Sequence, residues 1–407
     1  MSDKPATSPE DALPRLLLVH SSDEMYGSDR IVVEVVDALT GAGGSTPLAS
    51  VTVWLPADTG TEAGPLSREL RSRGIEVRHL NLPILRRHLL NPPGMAGLLR
   101  RFLRTRAELR KEKFDMVYCA TSACLPMAPL AHGQRTPSIA VHVQEPWGQS
   151  ERRVLARLAR RTTTRLAIAE HVARSTGLPQ RTVHVVPNAV PRVQPEREIA
   201  RRPAADHCND TPVYLVASRW APGKGHRTLL EAWETAGCPG RLRILGGKPP
   251  LGHGVDVPGL VEELVTQPDT VEIIGEVPDI APWIEAADAL ILPTDTAEGF
   301  GLVLIEAFRA GKPALASRDG GPSEVVRPGS DGWLFSNGSA SELAELLRTL
   351  RTGDLASAGK RALARYEDDY APENFHRRIR DVLEPALPAR AAAAVAGSGH
   401  LRYGGTA

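Results

Sequence analysis

Short, unbroken apolar runs recur along the chain. Leu16–His20, Ala49–Trp54, Met116–Cys119, Ile139–Val143, Leu166–Ala169 and Val183–Val186 lie in its first half. Val213–Ala217, Leu242–Leu245, Val271–Ile274, Ala289–Leu292 and Ala314–Ser317 lie in the second. Each has the length of a buried strand, and most are continuous rather than alternating, as parallel strands covered on both faces are. Helical periods separate them. Ile31, Val32, Val35, Val36 and Leu39 fall on one face of a helix opened by Ser28-Asp29. Leu302, Ile305, Glu306 and Phe308 mark another, stopped by Gly311 with Pro313 beyond it. Alternating strands and helices over this length predict an α/β protein with two doubly wound parallel sheets.

The pattern also divides the chain. A polar, Pro- and Arg-containing stretch at 191–211 has no period and reads as a linker between a first domain, 15–190, and a second, 212–370. A final helix is expected at about 371–385. Residues 1–14 are polar and acidic, and 386–407 are low in complexity, so both are expected to be disordered. The total of 407 residues agrees with two or three domains at ~100–200 residues each. The net charge of +1 gives no global excess that would select nucleic acid. Four cysteines without CxxC spacing suit buried thiols in a reducing cytoplasm, not a zinc site or a disulfide scaffold. No apolar run approaches the ~18 residues of a membrane span, and the N-terminus lacks a signal-peptide layout. Only seven of the 49 basic residues are Lys, which singles out each Lys near a motif.

No GxxxxGK[ST], GxSxG or HExxH occurs, and no GxGxxG follows the first strand of either half. These absences argue against P-loop, serine-hydrolase, zincin and nicotinamide chemistry. Glu298-Gly299-Phe300-Gly301-Leu302-Val303-Leu304-Ile305-Glu306 is the strongest positive signal. It places two glutamates eight residues apart, one in a loop after a strand and one two turns into a helix. Gly299 and Gly301 leave the amides at the helix start accessible, and that end carries roughly +0.5 charge. Such an end can cradle phosphate, with the glutamates accepting from sugar and ribose hydroxyls. The plainer alternative is a tight turn with both glutamates solvated. Ser218-Arg219-Trp220-Ala221-Pro222-Gly223-Lys224-Gly225-His226 follows another strand, with Arg219 and Lys224 five residues apart. Two cations at a strand's carboxyl end suit a diphosphate; ordinary surface charge is the alternative.

From Val213 to about Leu347 the chain resembles the retaining GT-B glycosyltransferases of family 4. The resemblance adds Leu245-Gly246-Gly247, Ile274-Gly275-Glu276-Val277, Ala287-Asp288-Ala289, Ala310-Gly311-Lys312-Pro313, Gly320-Gly321-Pro322-Ser323-Glu324 and Gly332-Trp333-Leu334 to the two segments above. It implies two Rossmann-like domains facing a cleft and a nucleotide-diphosphate sugar as donor. Arg219 and Lys224 would hold the diphosphate, and Glu306 the ribose. Glu298, Gly299, Phe300 and Gly301 would face the donor sugar and phosphate. The first half is similar at fewer points. Met25-Tyr26-Gly27-Ser28-Asp29-Arg30 stands where the family has a Gly-Gly loop, so Gly27 would lie against the donor; a plain N-cap by Ser28 or Asp29 is the alternative. His142-Val143-Gln144-Glu145 resembles a His-x-His-Glu segment, which would put His142 beside the donor sugar, with Gln144 replacing the second His. Ile168-Ala169-Glu170-His171 lacks the family's Ser. Val186-Pro187-Asn188-Ala189-Val190 resembles its Pro-Asn-Gly-Val hinge. The resemblance also implies that the last helix crosses back onto the first domain, and that the catalytic set is Glu298, His142, Arg219 and Lys224, with no metal and no cofactor.

Nine Lys or Arg against two acids in Arg86–Lys113, and six Arg without an acid in Arg152–Arg165, make the first half locally basic. Val154, Leu155, Leu158 and Ala159 form an apolar stripe among these arginines, as in a helix lying on an anionic membrane; a solvated face over a buried stripe is the alternative. The expected acceptor is a saccharide, glycolipid or small molecule, and the expected place is the cytoplasm, at the inner face of the membrane. A nucleotide-sugar epimerase or phosphorylase, or a non-catalytic partner on the same fold, are the competing readings.

Overall fold

The computed structural model describes residues 13–42, 44–59, 63–86, 92–192, 211–249 and 253–388. The expected leader, linker and tail fall mostly on residues 1–12, 193–210 and 389–407, outside the described residues, as does Cys208.

Two parallel sheets form. The first is built from β1 (Arg15–Val19), β2 (Ser50–Pro56), β3 (Glu76–Leu80), β4 (Met116–Cys119), β5 (Ser138–Val143), β6 (Thr164–Ala167) and β7 (His184–Val185), in the order β3-β2-β1-β4-β5-β6-β7. The second holds β8 (Val213–Ala217), β9 (Arg241–Leu245), β10 (Val271–Gly275), β11 (Ala289–Leu292), β12 (Ala314–Ser317) and β13 (Gly332–Phe335), in the order β10-β9-β8-β11-β12-β13. Every apolar run read from the sequence is a strand or overlaps one. Two strands escape that reading. β3 sits on the sheet edge and only Val77 is buried, so its residues carry little apolar signal. β13 mixes buried and half-buried positions for the same reason.

Helices return the chain between strands. α1 (Gly27–Thr40) follows β1, α2 (Pro65–Ser72) follows β2, and α3 (Pro92–Lys111) follows β3. α4 (Met127–Gly133), α5 (Gln149–Ala159) and α6 (Glu170–Ser175) follow β4, β5 and β6. In the second half α7 (His226–Thr235), α8 (Val257–Leu264), α9 (Ala281–Glu285), α10 (Leu302–Arg309) and α11 (Pro322–Val325) follow β8 to β12 in turn. α12 (Ala340–Thr349), α13 (Thr352–Arg365) and α14 (Pro372–Leu383) end the described chain.

α14 lies on the first sheet's helical layer, not the second's. Phe375, Ile379 and Leu383, one turn apart, are fully buried in one cluster with Ile31, Val35 and Leu39 of α1. The buried residues of α1 are therefore shared between the first sheet, through Leu16 and Leu18, and a helix from the far end of the chain. Its N-terminus corrects the expected start: the helix begins at Gly27, and Asp29 closes the first turn from within by accepting the Tyr26 N–H at 3.0 Å.

In each sheet the order reverses between two adjacent strands, β1 and β4 in the first and β8 and β11 in the second. Loops leaving these carboxyl ends diverge to opposite faces and open a crevice where open α/β sheets bind ligands. The Arg219–Lys224 loop leaves β8 and the Glu298 loop leaves β11, so both strong sequence motifs meet at one switch point.

Candidate functional site

A cleft beyond β8 and β11 is lined by Ser218, Arg219, Lys224, Glu298, Gly301 and Leu302. The β8 loop can reach it because Gly225 adopts a left-handed conformation (φ 71°) at the cap of α7. A Cβ there would collide with the Pro293 carbonyl of the β11 loop. Lys224 is thereby held over the neighbouring loop, and its Nζ donates to Glu298 Oε2 at 2.7 Å. Both side chains are part-exposed, so the pair is accessible to a ligand. Arg219 is exposed at the rim.

The Glu298 loop is pinned from the other side. Glu298 N–H donates to the Asp319 carbonyl at 3.1 Å, and Gly321 N–H donates to the Glu298 carbonyl at 2.9 Å. Gly320, at φ 95°, makes room for this bridge, since a Cβ would strike Glu298's carbonyl. Gly301 caps α10: the Leu304 N–H turns back to the Gly301 carbonyl at 2.9 Å, and the helix start at Leu302 and Val303 lines the cleft. Phe300 departs from the expectation for its side chain. It is buried, edge-on to the Tyr370 ring with centroids 6.2 Å apart, so only its backbone can serve a donor.

Glu306 lies within α10 and is almost wholly buried. Burial pushes its carboxyl above the usual range, with Asp279 adding to the push, while the charges of Arg30 and Arg309 pull it back. Arg30 reaches it from α1, donating from Nη1 to Glu306 Oε1 at 2.6 Å. Gly27 is adjacent to the same helix: a Cβ there would stand 2.9 Å from Leu302 Cδ1. Gly299 similarly faces Pro146 and the Gln144 carbonyl, beyond β5. The two halves thus touch along the cleft floor.

His142 is not among the residues lining this cleft. It lies inside β5 and is buried, its Nδ1 hydrogen-bonded to Tyr118 Oη at 2.8 Å while Nε2 has no partner. Burial lowers its pKa to about 3, so the ring is neutral at ordinary pH. His226, which follows Lys224-Gly225, is likewise neutral, brought down to about 4 by burial and then by the Lys224 charge. Gln144 accepts from Asn188 Nδ2 at 3.2 Å, tying the residue after β5 to the segment that leaves β7.

Two cross-cleft contacts were not visible in the sequence. One is Arg30 to Glu306. The other is Glu324, whose carboxylate accepts the N–H groups of Glu170 and His171, each at 2.7 Å, at the start of α6. The motif that ends in Glu324 was recognisable, but nothing local announces a partner 154 residues away.

The basic segments are reorganised too. α5 ends at Ala159, and Arg165 belongs to β6, where its guanidinium donates to the carbonyls of Ala159 and Thr162. Arg86 and Arg101 are both paired with Asp58, and Lys111 with Glu108. Val154 is exposed rather than part of the buried stripe, and so are Leu99 and Leu103, one turn apart on α3. No helix among the described residues is long and apolar enough to cross a membrane.

Residues 211–352 match the family model described as Glycosyl transferases group 1. An exopolysaccharide phosphotransferase of Streptomyces coelicolor is 32% identical over 202 residues, covering 49% of this chain and 19% of that protein. A D-inositol 3-phosphate glycosyltransferase of Nocardia farcinica is 28% identical over 257 residues, covering 60% of this chain and 55% of the relative. The putative colanic acid biosynthesis glycosyltransferase WcaL of Escherichia coli is 29% identical over 188 residues, covering 43% and 45%. The chain therefore spans about a fifth to just over half the length of these relatives. Among solved structures, Anabaena HepE in complex with UDP and glucose superposes with a TM-score of 0.71 at 21% identity, covering 91% of this chain and 99% of HepE. The lipopolysaccharide outer core galactosyltransferase WaaB in its apo form gives 0.68 at 16% identity, covering 92% and 100%. The two parallel sheets and these superpositions make this a GT-B fold, and within it residues 211–352, the half built on the second sheet, match the glycosyl transferases group 1 family.

Proposed function

We propose that the chain is a retaining glycosyltransferase that moves a sugar from a nucleotide-diphosphate sugar to an acceptor hydroxyl. The observation that carries this reading is the meeting of Arg219, Lys224, Glu298 and the α10 N-terminus in one cleft at a topological switch point. Breaking the bond from the anomeric carbon to the diphosphate puts negative charge on the leaving oxygens and oxocarbenium character on the sugar. Arg219, Lys224 and the α10 amides counter the first charge, and Glu298 faces the second. Retention without a dedicated nucleophile implies attack from the leaving-group face, with the departing phosphate oxygen taking the acceptor's proton; the family resemblance supplies this step. Uridine diphosphate is the base-bearing product favoured by HepE's bound ligands, in complexes with UDP and with UDP-glucose.

The test is release of UDP from UDP-sugars with and without added acceptor. Transfer predicts acceptor-dependent release and a product of retained anomeric configuration. The fixed cations also predict activity that survives EDTA. An inverted product overturns the mechanism, and conversion of the donor sugar without acceptor selects the epimerase.

His142 is assigned a positioning role toward the donor sugar, because its buried Nε2 lacks a partner and buried polar atoms generally have one. Being neutral, it orients rather than attacks. His142→Ala is expected to lower turnover more than donor affinity. Tyr118→Phe serves as the control for disturbed packing, since it removes the Nδ1 partner and leaves the imidazole.

Cell-surface polysaccharide or glycolipid synthesis is the setting we favour over a soluble natural product, in line with relatives named for exopolysaccharide phosphotransfer and for colanic acid biosynthesis. The exposed Leu99, Leu103 and Val154, set among arginines on α3 and α5, support contact with an anionic bilayer on the cytoplasmic side. Co-sedimentation with anionic vesicles should weaken steeply as salt rises, because exposed charges are screened within ~8–10 Å. Equal recovery on neutral and anionic vesicles would favour the soluble acceptor.

A further inference from the structure

Glu306 is the buried acid of α10, and one of its two oxygens is already engaged from across the cleft. Arg30 stands on the first turn of α1, in the half that carries the other sheet, 276 residues away in sequence. Its approach is set by packing: Gly27, one turn earlier, abuts Leu302 at the start of α10, and Asp29 fixes that first turn by binding the Tyr26 N–H, the Ser22 hydroxyl and the His20 ring. The Arg30 side chain is 44% exposed, whereas that of Glu306 is 7% exposed. The contact is therefore open to solvent on the Arg30 side with its carboxylate inside; the two residues do not line the cleft itself, but Leu302 and Val303, a turn earlier on α10, do. Arg309, on the same helix as Glu306, donates instead to the Pro191 carbonyl at 2.8 Å. Glu306 Oε2 has no hydrogen bond among the described residues.

We propose that Arg30 is a positioning residue of the donor site, fixing the Glu306 carboxylate from the opposite half so that it accepts the paired hydroxyls of a ribose. The inference rests on the nucleotide-sugar reading above. It deepens that reading, because it makes nucleotide affinity depend on contact between the halves: the residue that binds the ribose belongs to one, and the residue that orients it belongs to the other. The charged groups facing Glu306 are Arg30 from α1, Arg309 on its own helix and Asp279 ahead of α9. Of these, Arg30 alone pairs with it directly. Without that guanidinium the buried carboxyl keeps its proton to higher pH, and a protonated acid offers one acceptor fewer.

Calorimetric binding of UDP, and of 2′,3′-dideoxy-UDP, tests this on the full chain. Arg30→Met is expected to weaken UDP binding about tenfold at about pH 5.5 and less at about pH 8. It should leave the dideoxy analogue nearly unaffected, since that ligand has no hydroxyls for Glu306. Arg30→Lys should restore most of the affinity, and Arg30→Met should add nothing once Glu306→Gln is present. Wild-type affinity and pH profile in Arg30→Met overturn the inference, as does an equal loss for both nucleotides, which marks a merely structural contact. Failure of the unmodified chain to bind any of UDP, ADP, GDP or TDP overturns the donor-site reading itself, and the role of Arg30 with it.

Discussion

Lys224→Ala is expected to lower kcat/KM for the donor by about two to three powers of ten, the usual cost of removing one preorganised donor from a developing oxyanion. The ammonium lies in a turn fixed by a left-handed glycine and reaches Glu298 at 2.7 Å. It carries three donors, so it can hold Glu298 and a phosphate oxygen together. Its loss removes one of two cations from the cleft and leaves Glu298 without its counter-charge. Both groups are part-exposed, so the fold should be unaffected, which circular dichroism checks. Lys224→Arg retains the charge but not the compact geometry and is expected to recover only part of the rate. Donor turnover within about threefold of wild type in Lys224→Ala would falsify the assignment of this loop to the diphosphate.

Glu306→Ala should act mainly on donor affinity, raising KM by about two powers of ten, since hydrogen bonds to a charged acceptor contribute ~1.5–3 kcal/mol each. Its pH dependence carries two opposite signs. Ribose binding needs the ionised carboxylate, so affinity is full above its pKa and falls as acid protonates it, at a pH raised by burial. Stability without nucleotide runs the other way. A carboxyl whose folded pKa exceeds its unfolded value favours the folded state at low pH, and that contribution is lost as pH rises through the folded pKa. Melting with and without UDP across pH should therefore show ligand stabilisation shrinking on acidification, while the Glu306 contribution to the unliganded chain grows. Glu306→Gln should remove both trends. Persistence of either trend in that variant reassigns the titration to another group.

Much of the fold was legible because parallel strands buried on both faces write themselves as continuous apolar runs. β3 was not, because an edge strand with Val77 as its one buried residue has nothing to repeat. The donor half of the site was legible for a different reason. Arg219, Lys224, Glu298 and Glu306 sit on short loops and one helix turn, where spacing in sequence fixes spacing in space. Contacts between the halves had no such signal: Arg30 and Glu324 are unremarkable residues until the two sheets face each other. Phe300 shows the converse limit. Its place in a glycine-rich loop suggested the ligand side, but an aromatic next to Tyr370 gains more from burial than from facing water. Arg165 fell in a basic run by sequence and in a strand by structure, because a count of charges does not mark where a helix ends.

The return of α14 to α1 has a consequence for synthesis on the ribosome. The first sheet is complete in sequence by Val185, but the apolar cluster around α1 is complete only when Phe375, Ile379 and Leu383 have emerged. That interval is close to 190 residues, from Val185 to Phe375, or about 10–40 s at ~5–20 residues per second. During it the nascent first half lacks the three apolar side chains that complete the cluster around α1, and Glu34 lacks its partner His376. The last helix is thus a closing clasp on a domain made long before it, and its emergence, rather than formation of either sheet, completes that interior.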